Sequence, residues 1–424
     1  MIKNYFKVAL RNLARKKIFP IINMLGLSVG VACFLLIGLY VLDELRFDRY
    51  NQNADRIYRI DNQIKFGDFQ YNGAAAPAIM GPVFTRIYQQ IAQYVRFRIY
   101  GGIVIQKGDE LIKEDRVIFA DSTLFDVFTL PLVAGNPRTA LKEPHSLVIT
   151  ESVAKKYFNS LDAIGKTLLI NQKDHYKITG IIKDIPPQSH FHFDFFMSMS
   201  ELDDSRGSSW FQENFQTYIM LNPGADVVQL EKQMNKSLRL YSAPQFLTVA
   251  GISQDEFEKA GNYMHCTLMP LTAIHLHSNI SDELGVNGSI QRVYIFGAIS
   301  VFILLIACIN FMNLSTAQSF NRAKEIGVRK VLGGFRSSLI FQFLTESVLM
   351  SFASVILATG TAFLVLPLFN QLADKQISAS LLFNPFMVSI LLLLSMVVGL
   401  ISGSYPAFYL SSFRPNIVLK GTLP

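Results

Sequence analysis

The stretch IFPIINMLGLSVGVACFLLIGLYVL, residues 18–42, contains no charged side chain. A helix of about 20 apolar residues crosses the ~30 Å hydrocarbon layer of a bilayer, so this stretch is long enough to span one. Residues 1–17 before it carry Lys3, Lys7, Arg11, Arg15, Lys16 and Lys17 and no acidic residue. A basic cluster beside a span marks the side that stays in the cytoplasm. Three further apolar stretches, 293–316, 338–369 and 385–410, follow late in the chain, and a long polar region, 43–292, lies between the first and the second. The expected class is an integral membrane α-helical protein with four transmembrane helices and a large α+β extracytoplasmic domain inserted between helices 1 and 2.

Alternation of sides then assigns every segment. With 1–17 inside, 43–292 is outside, 317–337 inside, 370–384 outside and the tail 411–424 inside. The bases follow this assignment. The inner loop carries Arg322, Lys324, Arg329, Lys330 and Arg336 against Glu325, the tail carries Arg414 and Lys420, and the outer loop holds only Asp374 and Lys375. The net charge of +7 is therefore an excess at inner helix ends over an acidic remainder, and no nucleic-acid partner is needed to explain it. A hydrophobic share of 50% and a mean hydropathy of +0.29 are too apolar for an ordinary soluble protein. The first span is longer than a signal-peptide core and no small-x-small cleavage site follows it, so it reads as an uncleaved anchor. Cys33 after Gly30-Val31-Ala32 faintly imitates a lipoprotein cleavage site, but the apolar run continues past it.

Residues 1–17 form an amphipathic helical pattern, with Ile2, Phe6, Ala9, Leu10 and Leu13 opposite Lys3, Lys7, Arg11 and Arg15. Such a helix lies in the headgroup layer of the bilayer. In the outer region, strand-like runs at 56–61, 94–100, 117–120, 146–150, 176–182, 217–221 and 266–271 alternate with helical patterns at 77–90, 151–158 and 227–240. Trp210 follows Ser-Arg-Gly-Ser-Ser and reads as part of an exposed loop. Cys33 and Cys308 lie in spans and Cys266 outside, so no disulfide is expected.

Motifs for catalysis are weak. Ile164-Gly165-Lys166-Thr167 resembles the end of a phosphate-binding loop, but Ser160 stands where the first glycine is required, and the segment follows a helix. It reads as a turn into a strand. His190-x-His192 and His275-x-His277 would each share a strand face and could pair on a metal, yet too few further ligands surround them. Packing or surface roles are the expectation, with no metal site. No nucleophile elbow or zincin motif is present, so nothing points to a hydrolase.

Within the apolar cores Glu346 is the one ionisable side chain, with Gln342 one turn before it. Channels and ion-coupled carriers line their paths with several such groups. These helices read as built to pack. Gly26-x-x-x-Gly30 has the spacing that lets a second copy of the chain approach closely, a dimer contact. The inner loop Arg322-Ala-Lys-Glu-Ile-Gly-Val-Arg-Lys-Val-Leu-Gly-Gly334 reads as a short basic helix closed by glycines. It offers Ile326, Val328, Val331 and Leu332 among its charges, more apolar surface than a topology signal needs.

That loop, the Gln342-Phe-Leu-Thr-Glu346-Ser after it and the late Gly403-Ser-Tyr-Pro-Ala407 resemble the permease subunits of MacB/FtsX-type ABC transporters. Phe6-Lys-Val-Ala-Leu-Arg-Asn-Leu13 resembles their N-terminal cytoplasmic helix, and Tyr157-Phe158, Ile164-Gly165-Lys166 and Gly180-Ile-Ile-Lys-Asp-Ile-Pro186 resemble their periplasmic core domain. The resemblance implies a bacterial inner-membrane protein with both termini cytoplasmic, no cofactor of its own and no enzymatic activity. In this family a separate cytoplasmic ATPase grips the loop between helices 2 and 3. Two permease copies form the working unit, motion passes to the outer domains, and an envelope adaptor can join. Carried onto this chain, Arg322, Lys324, Glu325, Ile326, Gly327, Val328, Arg329, Lys330 and Val331 would form the ATPase-coupling helix. Its substrate would be exported or extracted on the envelope side. The alternative is a membrane-anchored sensor or scaffold whose outer domain binds a ligand without ATP.

Overall fold

The computed structural model describes residues 18–320, 331 and 335–411. Two compact units emerge, one of residues up to 43 and from 291 onward, the other of Glu44–Ile290. The first helix, α1 (Ile18–Glu44), carries no charge until Asp43 and Glu44 at its end.

The outer unit follows in chain order. A 3-10 turn, Ala54–Arg56, leads into β1 (Ile57–Phe66), β2 (Phe69–Gly73), α2 (Met80–Ile87), β3 (Ile91–Ile99), β4 (Ile103–Lys107), β5 (Glu110–Glu114) and β6 (Val117–Ala120). Next come α3 (Leu124–Val127), β7 (Leu132–Gly135), β8 (Ser146–Thr150), α4 (Glu151–Phe158), β9 (Thr167–Ile170), β10 (Asp174–Ile182), β11 (Phe195–Ser198) and β12 (Gln216–Leu221). The unit closes with α5 (Val227–Ala250), α6 (Gln254–Lys259), β13 (Tyr263–Pro270) and α7 (Leu271–His277).

Among the described residues the strands form one 13-stranded sheet, ordered β13-β1-β12-β3-β6-β11-β8-β10-β9-β4-β5, with β2 on β1 and β7 on β10. The pairings β8–β10 and β6–β11 are parallel. The central strands are short, continuous apolar runs because both their faces are covered. Leu147 and Ile149 of β8 pack with Phe119, Phe195 and Met197 on one face. Val148 packs with Ile118, Phe196 and Tyr218 on the other. The β1 strand joins β12 through its first half and β2 through its second, with β13 along its opposite edge.

Local details correct two readings and explain a third. Trp210 is not exposed: it is 4% accessible, lying between the Phe84 ring and a stacked Tyr241 on α5, with ring centroids 6.0 and 5.8 Å away. The polar residues before it misled, because a loop can still drive one aromatic ring into the core. His275 and His277 lie on a helix, α7, where alternate residues do not share a face. His275 is buried and His277 exposed. The phosphate-loop look-alike is a turn: α4 ends at Asn159 in the left-handed region, Gly165 follows at φ +82°, and its N–H donates to the Ile178 carbonyl. Cys33, Cys266 and Cys308 form no disulfide.

The chain then forms α8 (Ile290–Phe320), α9 (Arg336–Ala373) and α10 (Pro385–Ser411). With α1, these are four helices long and apolar enough to cross a membrane. Their contacts are close. A Cβ on Gly30 would stand 2.4 Å from the Ala307 Cβ on α8, so the Gly26–Gly30 spacing serves a helix of the same chain. Asn23 reinforces that pair, donating to Ser315 Oγ at 3.0 Å and to the Phe311 carbonyl at 3.3 Å. On α10, a Cβ at Gly399 would meet Val348 Cα at 2.6 Å and one at Gly403 would meet Ser347 Cβ at 2.5 Å, both on α9. At the far end of α1, Asp43 pairs with Lys375 of the α9–α10 loop at 3.3 Å, and that ammonium lies 5.6 Å over the Tyr40 ring.

Candidate functional site

Two segments join the outer unit to the helices along the chain, one after Asp43 and one before Gln291. Both segments are anchored by buried polar groups. The incoming segment leaves α1 at Glu44, which is 4% exposed and pairs through Oε2 with His275 Nε2 at 2.9 Å. Phe47 stacks face to face on the same imidazole, with ring centroids 3.4 Å apart. Asp48 then adopts φ +59°, the left-handed turn that aspartate tolerates better than most residues. Its carboxylate is fully buried, accepting from the His190 backbone N–H and pairing with His190 Nδ1 at 2.8 Å. The other ring nitrogen of His190 meets the Tyr218 hydroxyl at 2.7 Å, on β12. Asn51 continues the tie, accepting from the Thr129 N–H at 2.9 Å.

The outgoing segment, 278–290, is held in the same way. Ser278 and Glu283 both bond the guanidinium of Arg59 on β1, and Asp61 two residues on bonds it from the same strand. Ser278 also donates to Glu283, and Asn287 donates to the Ser278 carbonyl at 3.1 Å. The Gly288 N–H donates to the His275 carbonyl at 2.7 Å. A Cβ at Gly288 would stand 2.6 Å from Glu44 Oε2 and 2.7 Å from His275 Nε2, so a side chain there would have to displace the pair. His275 thus clamps both segments together.

The two ties converge inside the sheet. Arg59 and Tyr218 are direct partners in the β1–β12 register and are both fully buried. Directly opposed residues of an antiparallel pair lie on one face of the sheet. One connecting segment therefore ends on each member of a single cross-strand pair. Burial pushes the Asp61 carboxyl up to about 6 against the pull of Arg59, and pushes the Tyr218 phenol well above its ordinary range. The hydroxyl stays protonated. A fully buried guanidinium matched by two carboxylates has little freedom to move without exposing an uncompensated charge, so the network is stiff.

The residues singled out in the sequence fare differently. Arg322, Lys324, Glu325, Ile326, Gly327, Val328, Arg329 and Lys330 lie outside the described residues, and Val331 is helical and 65% exposed. Gln342 and Glu346 are buried on α9, where Gln342 Nε2 donates to Glu346 Oε1 at 3.3 Å. Next to them Leu339, Phe343 and Ala407 form a small apolar cluster that joins α9 to α10. Gly399-x-x-x-Gly403 escaped the sequence reading although its spacing matches Gly26-x-x-x-Gly30. Arg59, Asp48 and Tyr218 escaped as well, and a charged residue inside a strand-like run was the available signal. Among the described residues no group of three His, Cys, Asp or Glu side chains could hold a metal. His190 and His275 serve the ties, and His192 Nε2 lies 3.1 Å from the Pro186 carbonyl.

Known proteins resemble this arrangement in sequence. The model for a MacB-like periplasmic core domain matches residues 21–237, and that for an FtsX-like permease C-terminal domain matches 297–415. An ABC transporter permease of Bacillus subtilis, YvrN, is 24% identical across 98% of this chain and 99% of its own length. The macrolide export ATP-binding/permease protein MacB of Campylobacter jejuni is 29% identical over 122 residues, and the aligned part is only 19% of that protein. Among solved structures, a permease domain from Porphyromonas gingivalis covers 58% of this chain at 20% identity with a TM-score of 0.44. The periplasmic region of MacB from Actinobacillus actinomycetemcomitans covers 49% at 16% identity with a TM-score of 0.35.

Proposed function

The chain belongs to the family of ABC transporter permeases that join a MacB-like periplasmic core domain to an FtsX-like permease domain, and we propose that it transmits ATP-driven motion from a separate cytoplasmic ATPase to its outer domain. The observation that carries this reading is the pair of buried ties: both segments joining the helices to the domain end on Arg59 and Tyr218, opposed across two adjacent strands. A displacement of α1 or α8 then acts on the sheet itself rather than being absorbed in a flexible linker.

In this reading the protein sits in the bacterial inner membrane with both termini in the cytoplasm and the large domain outside. The scarcity of intramembrane ionisable groups fits a transmitter better than a conducting path. Arg322, Lys324, Glu325, Arg329 and Lys330 set register on the ATPase, and Ile326, Val328 and Val331 supply apolar contact. A second permease copy completes the unit, an envelope adaptor joins on the outside, and hydrolysis of ATP belongs to the partner subunit. The work, export or extraction of an envelope substrate, is done by the outer domain.

The test is a double substitution, Glu325→Ala with Arg329→Ala. Copurification of the ATPase and stimulation of its turnover should both fall about tenfold or more, the scale expected when a rim charge pair is removed. Coupling equal to that of the unaltered protein would refute the docking role.

A further inference from the structure

The outer domain contains a cavity of about 520 Å³. This lies in the size range of small-molecule sites. Its wall is largely aromatic: Phe66, Phe69, Tyr71, Phe211, Phe246 and Phe257 come from β1, β2, the 211–213 loop, α5 and α6. These rings support one another, with centroid separations of 5.7 Å for Phe66–Phe257, 4.5 Å for Phe246–Phe257 and 4.7 Å for Phe211–Phe246. Phe66 and Phe69 are 49% and 60% exposed, so the cavity opens to solvent past them.

Among the described lining residues one carboxyl interrupts this apolar wall and none is basic. Glu213 Oε2 accepts from Asn62 Nδ2 at 2.7 Å, whereas its Oε1 is buried without a hydrogen-bond partner. Burial pushes this carboxyl up to about 8. Tyr71, which lines the wall, donates its hydroxyl to the exposed Asp282 at 2.8 Å. An unmatched buried oxygen costs free energy that a partner would recover. An anionic ligand would face the Glu213 carboxylate with no base among the described lining residues. A neutral apolar ligand would leave Oε1 unmatched. A cation both compensates the carboxylate and gains from ring faces, whose quadrupole attracts positive charge.

We propose that this cavity binds an apolar organic cation, an ammonium-bearing molecule whose charge meets Glu213 and whose hydrocarbon body lies against the phenyl rings. The proposal goes beyond the permease reading and does not depend on it, because binding here requires neither ATP nor the ATPase.

The experiment is calorimetric titration of the full chain in lipid nanodiscs, with empty nanodiscs as the blank. Benzyltrimethylammonium is the probe, since its charge does not vary with pH, and pivalophenone is a neutral comparator of similar shape that carries a hydrogen-bond acceptor. The cation should bind saturably at pH 9 about tenfold tighter than the ketone. Protonation of Glu213 competes with it, so affinity should fall at least about tenfold between pH 9 and pH 6. Glu213→Gln should abolish both the preference for the cation and its pH dependence. Phe211→Leu should weaken the cation several-fold and keep the pH dependence. The proposal is overturned if the unaltered protein shows no saturable cation binding, if the ketone binds as tightly, or if affinity does not change with pH.

Discussion

The membrane helices and the outer domain are held together by opposite means. Between the helices the close contacts are made by small groups: Gly30 on Ala307, Gly399 on Val348 and Gly403 on Ser347. In the outer domain the connecting segments are fixed by fully buried charge, with Arg59 between Asp61 and Glu283, and Asp48 on His190. Surroundings explain the difference. Lipid offers helices no hydrophobic drive toward one another, so close packing must supply the attraction, and a stray charge there is costly. A domain with a complete apolar core on both faces of its sheet can carry a few buried ions, and they fix geometry that apolar contacts alone leave adjustable.

The comparison fails most visibly if the buried ions are dispensable. Arg59→Met removes the cation and leaves Asp61 and Glu283 buried together, so the outer domain should lose about 3–5 kcal/mol. Trp210, the sole tryptophan and buried in that domain, makes urea unfolding easy to follow by fluorescence. A loss below about 1 kcal/mol would mean that apolar packing alone fixes the connecting segments.

The helix side of the contrast is tested by Gly30→Leu. The added side chain has no room beside Ala307, and overpacking of this kind costs about 1–3 kcal/mol. Thermal aggregation of the detergent-solubilised protein should start at lower temperature. Gly38→Leu on the same helix, where a Cβ would meet nothing within 4 Å, should leave the onset unchanged.

Glu213 sharpens the contrast because it is a charge that the domain does not match. Its folded-state value of about 8 lies above the ordinary carboxylate range. The folded form therefore holds its proton more tightly than the unfolded chain does. The corresponding stability is present in full below about pH 4.5 and is lost as pH rises through about 8. Glu213→Gln stays neutral, so it should stabilise the domain by about 4–5 kcal/mol at pH 9 and by only a few tenths near pH 4.5. Denaturation midpoints at the two pH values measure the difference, and equal shifts at both would show that Glu213 is matched after all. The smallest effect belongs to Tyr218→Phe, which removes one hydrogen bond to His190 and keeps the ring. A loss of about 1 kcal/mol is expected in the same urea assay.

Much of the architecture was legible because it rests on local composition. Freedom from charge over residues 18–42 requires no knowledge of neighbours, and the apolar runs at 117–120 and 146–150 became β6 and β8. Weaker signals were lost: β11 is only Phe195–Ser198, and the β4–β5 hairpin is half polar. The α5 helix runs on past Pro244, beyond the 227–240 pattern. Trp210 went the other way, since its polar flanks said nothing of the pocket between Phe84 and Tyr241.

Sequence alone determined that four apolar helices bracket an inserted α+β domain and that the basic residues gather at one set of helix ends. Those properties follow from the cost of placing charge in hydrocarbon, which each segment meets by itself. Only the tertiary structure decided that Glu44 would meet His275, and that Arg59 and Tyr218 would become cross-strand partners receiving the two connecting segments. Such pairings join residues more than 150 positions apart, and no local pattern of side chains encodes which strand will lie beside which.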